Sequence, residues 1–246
     1  MTGLEVPESH PRHESLLTRH RIEDGVDLGI TSKQGLIAQG RGEAFDYLLG
    51  EETIPSADAA ERAAVAHLLR ADRPVISVNG NVAALAPGET VQLAQAIGAD
   101  IEINLFNRTN ERIERIADHL REHGAENIKG LTADGRIPGL EHERAKVDAD
   151  GIGAADVVLV PLEDGDRAAA LAEMGKTELV VDLNPLSRSA RTASVPIVDN
   201  LLRAVPNMTA YARELAAADA ETLDSIVESF DAEAALSAAE ERIRDP

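Results

Sequence analysis

There is no cysteine in these 246 residues. That excludes disulfides, thiolate catalysis and cysteine-based zinc sites at once. Metal would have to enter through histidine and carboxylate, and magnesium accompanying a phosphate ligand is the form to expect. Aromatic residues make up only 2% of the chain against 43% hydrophobic residues, so a core has to be built from Val, Leu, Ile and Ala. No apolar run approaches the roughly 18 residues needed to span a bilayer, and "MTGLEVPESHPRHES" lacks the apolar stretch of a signal peptide. A soluble, cytoplasmic protein with no membrane partner is expected.

Positive charge is scarce too. There are 44 acids against 24 bases, a formal charge of −20, and only Lys33, Lys129, Lys146 and Lys176 are lysines. Such a surface repels nucleic acid and destabilises a compact chain by self-repulsion. At molar salt the screening length shrinks to about 3 Å and the penalty largely disappears, so a salt-saturated, halophilic cytoplasm is the expected setting. The G-x-x-x-x-G-K-[ST] phosphate loop, a Ser/His/Asp nucleophile elbow and H-E-x-x-H are all missing.

The elements that are present alternate. A helix is expected from Ser9 to about Val26, with Ser9 as N-cap and Pro11 in its first turn. The glycine-rich part of "KQGLIAQGRGEAFDYLLG" (33–50) reads as a tight turn. Asp58 and Glu61 stand like a capping pair ahead of a helix bearing Ala64, Val65, Leu68 and Leu69. Strands are expected at 75–79, 101–106, 156–162, in "ELVVDLN" and in "VPIVDN". Helices are expected around Thr90–Ile97, after Thr109, at about 166–174 and from about Leu201 to Leu215. Strands alternating with helices imply βαβ units and a three-layer α/β domain with a mostly parallel sheet. The last segment, with ten acids and two arginines from Glu214 on, reads as an acidic helical tail. The expected division is 1–215 and 216–246.

Chemistry is expected at the carboxyl ends of the strands. "DLNPLSRSARTA" (182–193) holds two arginines, three hydroxyls and one acid, a local reversal of the global charge. Asp182 and Asn184 lie at one strand end, Asp199 and Asn200 at the next, with Ser187, Arg188, Ser189 and Arg191 between them. Asp and Asn there can hold ribose hydroxyls, base edges or a metal, and Arg and Ser can hold phosphate. The alternative is a turn tied by Asx and Ser hydrogen bonds, with Asp199 or Asn200 capping the helix at Leu201. Arg41 between Gly40 and Gly42 suggests an anion-binding turn, although Phe45 breaks the G-x-G-x-x-G pattern. Arg12 and Arg19 either balance charge or meet a phosphate. Asn79, Gly80 and Asn81 follow a strand and can approach a ligand. His142 with Arg144 forms either a salt-bridged loop or a substrate-facing cluster, and Glu163, Asp164 and Asp166 either a magnesium site or a solvated loop. The residues alone reach an α/β protein that binds a phosphorylated, nucleotide-like ligand.

Taken in order, "SHPRHESLLTRHRI", "GLIAQGRGEAFDYLLGEET", "ISVNGNVAAL", "IEINLFNRT", "IPGLEHERAKVD", "VVLVPLEDGDR" and "VDLNPLSRSARTA…IVDN" resemble the archaeal 4-phosphopantoate–β-alanine ligases, or phosphopantothenate synthetases. The resemblance spans roughly 7–215 and leaves the acidic tail outside. It implies a homodimer with a Rossmann-like core that joins 4-phosphopantoate to β-alanine for coenzyme A synthesis, cleaving ATP to AMP and diphosphate; since a carboxylate is a poor electrophile, an acyl-adenylate is the simplest activated form. It implies ATP contacts at Arg19, Arg41, Asp182, Leu183, Asn184, Arg188, Ser189, Asp199 and Asn200. Arg188 and Arg41 are the catalytic candidates, with magnesium arriving with ATP. Arg12, Asn79, Asn81, His142 and Arg144 are the substrate-binding candidates. The chain departs from the family pattern at His13 and Gln39, where an aromatic and a histidine are more usual. The rival readings are a nucleotide- or coenzyme-A-sensing protein without catalysis and, less well supported by the broken glycine pattern, an NAD-dependent oxidoreductase.

Overall fold

A computed structural model describes residues 7, 9, 12–162 and 165–245. In chain order the helices and strands are α1 (His13–Asp27), α2 (Lys33–Leu49), α3 (Pro55–Arg70), β1 (Pro74–Val78), α4 (Gly80–Leu85), α5 (Pro87–Ile97), β2 (Asp100–Ile103), α6 (Asn110–Glu122) and β3 (Ile128–Lys129). A small hairpin of β4 (Gly135–Arg136) and β5 (Lys146–Val147) follows. The second half runs β6 (Val157–Pro161), α7 (Gly165–Glu173), β7 (Thr177–Val181), α8 (Arg188–Thr192), β8 (Val195–Ile197), α9 (Leu201–Leu215), α10 (Ala220–Ser229) and α11 (Ala232–Arg244).

The main sheet has the order β3-β2-β1-β6-β7-β8, with every neighbouring pair parallel. Numbered within the sheet alone, that is the 3-2-1-4-5-6 order of a Rossmann fold, with its topological switch point between β1 and β6. The register explains why the strands read as unbroken apolar runs. Ile76 lies beside Ile101 and Leu159, and Leu159 beside Leu179. These residues pack with α3, α5, α6 and α9 in the larger core. Val75, Val158 and Val160 point the other way, onto Ile137, Val147, Ile152 and Leu171. Both faces are covered, as a parallel sheet requires, and the architecture is the expected three-layer α/β arrangement.

Four local expectations need correction. First, α1 begins at His13 with Arg12 as its N-cap, while Pro11 lies outside the described residues. Second, 33–49 is one continuous helix, so Gly40 and Gly42 lie inside α2 and form no turn. Close packing explains two of its glycines but not Gly40: a Cβ on Gly35 would lie 2.3 Å from both Asn81 Oδ1 and Thr31 Oγ1, and one on Gly42 would touch Leu183, while one on Gly40 would meet nothing within 4 Å. Third, Pro55 starts α3 earlier than expected, because its fixed φ suits the first helical position. Asp58 and Glu61 therefore sit within the helix rather than ahead of it. Fourth, the acidic segment forms two helices, each capped by an aspartate: Asp219 accepts from the Thr222 N–H and Asp231 from the Ala234 N–H. Leu223, Ala235 and Ala239 of these helices are buried, and Ala239 packs with Leu49, Ile54, Leu183 and Val198. Among the described residues no helix is long and apolar enough to cross a membrane.

Candidate active site

Beyond the carboxyl ends of β6 and β7 lies a cavity of about 340 Å³. Arg41, Asp182, Leu183, Asn184, Arg188 and Ser189 all line it, together with Phe45, Leu162 and Ser187. Its rim is built by local hydrogen bonding after β7. Asp182 accepts from the Ser187 hydroxyl (2.6 Å) and the Asn184 N–H (3.0 Å). Ser187 Oγ in turn accepts from the Ala190 N–H and so caps α8 (3.0 Å). The Asx and Ser turn is therefore real, and it shapes the cavity wall. Burial pushes the Asp182 carboxyl up, against the Ser187 and Asn184 hydrogen bonds and the charge of Arg41. Arg188 reaches Asp166 (2.8 Å) but stays largely in solvent. A Cβ on Gly165 would come within 2.8 Å of Arg188 Cβ, so glycine lets α7 and α8 meet. Leu162, at the mouth, holds a left-handed φ of 58°, a strained conformation of the kind that concentrates at functional sites.

On the adjacent face of α2 is a second cavity, of about 440 Å³. Ala38, Arg41, Gly42 and Phe45 face the first cavity, whereas Gln39, Glu43 and Asp46 face the second. Both sets have spacings of three and four residues, so two adjacent faces of one helix serve two cavities. Arg12, Asn200 and Arg203 also line the second. Arg19 and Arg12 both donate to Glu43 (2.6 Å each to Oε1). That pairing, chiefly the Arg19 hydrogen bond, holds the Glu43 carboxyl below its ordinary range. The two guanidiniums expected near a phosphate are thus tied to one carboxylate.

Asp199 is buried and lines neither cavity. Its carboxylate accepts from Thr53 Oγ1 (2.5 Å) and from Arg203 Nε (2.9 Å). Asn200 caps α9 by accepting from the Leu202 N–H (3.1 Å), and donates to Asp46 (2.7 Å). Asn79 accepts from the Asn81 and Val82 N–H groups at the start of α4, and donates to the Pro161 carbonyl (3.1 Å). That side chain bridges β1 to β6 across the switch point. Asn81 ties Gly35 O (3.0 Å) and Thr31 together. Neither asparagine is among the residues lining the two cavities. His142 and Arg144 lie near the end of β2, against Phe106 (ring centroids 5.5 Å apart) and Asn104 (3.3 Å), and line neither cavity. Glu163 and Asp164 lie outside the described residues. Among the described residues no three His, Asp or Glu side chains gather as a metal site. Sequence reasoning missed Phe45, Asp46, Leu162 and Arg203. The helical spacing of 38, 42 and 45 would have exposed Phe45 had α2 been read as a helix.

Residues 56–246 match the family described as phosphopantothenate/pantothenate synthetase. The chain is 57% identical over 243 residues to the 4-phosphopantoate–β-alanine ligase of Thermococcus kodakarensis, covering 98% of this chain and 93% of that protein. It is 53% identical over 241 residues to the enzyme of that name from Methanosarcina mazei, covering 98% and 95%. The family match runs to residue 246, so the acidic segment after Leu215, expected to fall outside the similarity, lies within it. With the family matched over most of its length, and a Rossmann-order sheet bearing a cavity beyond its carboxyl edge, the chain belongs to the phosphopantothenate/pantothenate synthetase family.

Proposed function

We propose that this protein ligates 4-phosphopantoate and β-alanine to 4-phosphopantothenate at the expense of ATP, releasing AMP and diphosphate, in coenzyme A synthesis. The observation that carries the reading is the cavity beyond β7. On a chain of charge −20, two guanidiniums, Arg41 and Arg188, face a turn of capped Asp, Asn and Ser groups. Nucleotide phosphates fit that sign and geometry.

A carboxylate is a poor electrophile and must first be activated. One of its oxygens attacks the α-phosphorus, the bond to diphosphate breaks, and an acyl-adenylate forms. The β-alanine amine then attacks the acyl carbon, AMP leaves with the electron pair, and the nitrogen gives up a proton. Arg41 and Arg188 offset the repulsion when anions meet in the first step. Magnesium fits as the nucleotide's own counter-ion, with Asp182 lining the cavity and Asp166 paired with Arg188. The second cavity, lined by Glu14, Glu43, Asp46 and Glu51 as well as Arg12 and Arg203, suits a zwitterion such as β-alanine: acids for the ammonium, guanidiniums for the carboxylate. A homodimer is supported by an exposed apolar stretch on α2, where Ile37 and Tyr47 are 67% and 68% exposed.

The test is incubation in concentrated KCl with magnesium, ATP, 4-phosphopantoate and β-alanine, quantifying AMP and 4-phosphopantothenate. AMP formed with product, only when all three substrates are present, supports the reading. ADP in place of AMP would keep the ligase but replace the adenylate with an acyl-phosphate. ATP binding without turnover would turn the reading toward a sensor.

A further inference from the structure

Glu61 sits in the middle of α3 with 0% of its surface exposed, among Ala57, Ala60, Ala64 and Val65. Neither of its carboxyl oxygens receives a hydrogen bond, and its polar neighbours are Asp199, Asn207 and, one turn earlier, Asp58. Among the described residues no cation pairs with it. Arg203 is shared between Asp199 and Asp46. On the same helix Arg62 pairs with Glu214 of α9, and Arg70 with Asp224 of α10. Arg242 of α11 binds Glu52, and the Tyr211 phenol of α9 donates to Asp58. The count around the buried cluster is three carboxyl groups, Asp46, Glu61 and Asp199, to one guanidinium.

Were all three ionised, Glu61 would be a buried charge with no cationic partner and only the Asn207 side chain beside it to offset the cost. Asp46 and Asp199 each accept hydrogen bonds from Arg203, whereas Glu61 has no guanidinium beside it, so the proton belongs on Glu61. Burial, reinforced by the charge of Asp199, pushes its carboxyl up to about 9.

We propose that Glu61 is a positioning residue for the ligation: as a neutral acid it donates its proton toward Asp199 and thereby holds Arg203, Asp46 and Asn200 in place as the floor of the second cavity. This rests on the reading that the second cavity receives β-alanine. The side chain touches no substrate. It acts by keeping Arg203 divided between two carboxylates, so that Asp46 and Asn200 face the cavity at fixed positions.

The experiment compares wild type with Glu61→Gln and Glu61→Leu. Glutamine reproduces the donor and acceptor of the neutral acid, whereas leucine fills the space without either. In E61Q, kcat and the KM for β-alanine should stay within about twofold of wild type at neutral pH. Wild type should lose activity as Glu61 ionises, at about pH 9, and E61Q should not. In folded E61L the KM for β-alanine should rise about tenfold while the KM for ATP stays put. An inactive but folded E61Q, or alkaline limbs that superimpose in wild type and E61Q, would overturn the proposal. So would an E61L with unchanged KM for β-alanine. Infrared difference spectra separate this from the ligase reading: wild type minus E61Q at neutral pH should show a protonated-carboxyl C=O band. Its absence refutes a neutral Glu61 whatever the enzyme's substrates prove to be.

Discussion

Replacing Arg188 with alanine should separate stability from catalysis. The arginine is 71% exposed and its partner Asp166 60% exposed, and ion pairs this open to solvent contribute about 0–1 kcal/mol, less as salt concentration rises. Alanine is a good helix former at the first position of α8, and Asp166 is left in water rather than buried, so no orphaned charge opposes folding. For a chain of this size about 1 kcal/mol moves the melting temperature by roughly 2–4 °C, and the shift should fall at or below that. Turnover should respond very differently. If the guanidinium meets the charge that develops at the α-phosphate, its loss should resemble removal of one preorganised donor, about 10²–10³ in kcat, or roughly 2.7–4 kcal/mol. Arg188→Lys should recover part of this, since lysine restores charge but not the two-pronged geometry. Thermal unfolding and AMP release at saturating substrates measure the two quantities on one preparation. A folded R188A with kcat within about tenfold of wild type would remove Arg188 from the phosphate chemistry.

Two further outcomes follow from burial. Glu102 accepts from the N–H groups of Asp148 (3.0 Å) and Ile152 (2.6 Å), yet burial pushes it up to about 7. A carboxyl raised on folding gives stability that is full below its ordinary value of 4.5 and is lost as pH rises through 7. Wild type should therefore lose up to about 3 kcal/mol relative to E102Q between those limits, as read from denaturant unfolding at a series of pH values; parallel curves would refute it. Truncation after Leu215 removes Leu223, Ala235 and Ala239 and uncovers Leu49, Ile54, Leu183 and Val198. At about 1.5–3 kcal/mol for each large side chain uncovered, the shortened chain should be several kcal/mol less stable and bind ATP more weakly through Leu183. An unchanged melting temperature would show that α10 and α11 contribute nothing to the core.

Much of the fold was legible because a doubly covered parallel strand announces itself. "VVLVP" has no polar face to hide and "ELVV" only Glu178, and Thr109 and Gly124 punctuate α6 as capping rules require. α2 was not legible, since a helix that borders two cavities and solvent carries no single apolar stripe, and its glycines mimic a turn. Glu61 was read as a cap because its spacing from Asp58 matches a capping box, while Pro55 had already begun the helix. The strand-end cluster at 182–189 could be read because its hydrogen bonds are local. The partners of Asp199 and Asp46 could not, since Thr53 and Arg203 lie 146 and 157 residues from them in the chain, and no periodicity spans that distance.

The Asn79 bridge between β1 and β6 bears on inhibition. In dinucleotide-binding relatives of this sheet order the ligand enters the crevice at the switch point. Here the Asn79 side chain spans the crevice to the Pro161 carbonyl, and the cavity lined by Arg41 and Arg188 lies one strand over, beyond β6 and β7. A compound shaped for the usual crevice would have to break this bridge and the cap of α4 together before finding room. Selective ligands for this protein should therefore be drawn to the displaced cavity, where molecules designed against nicotinamide or flavin enzymes have nothing to recognise.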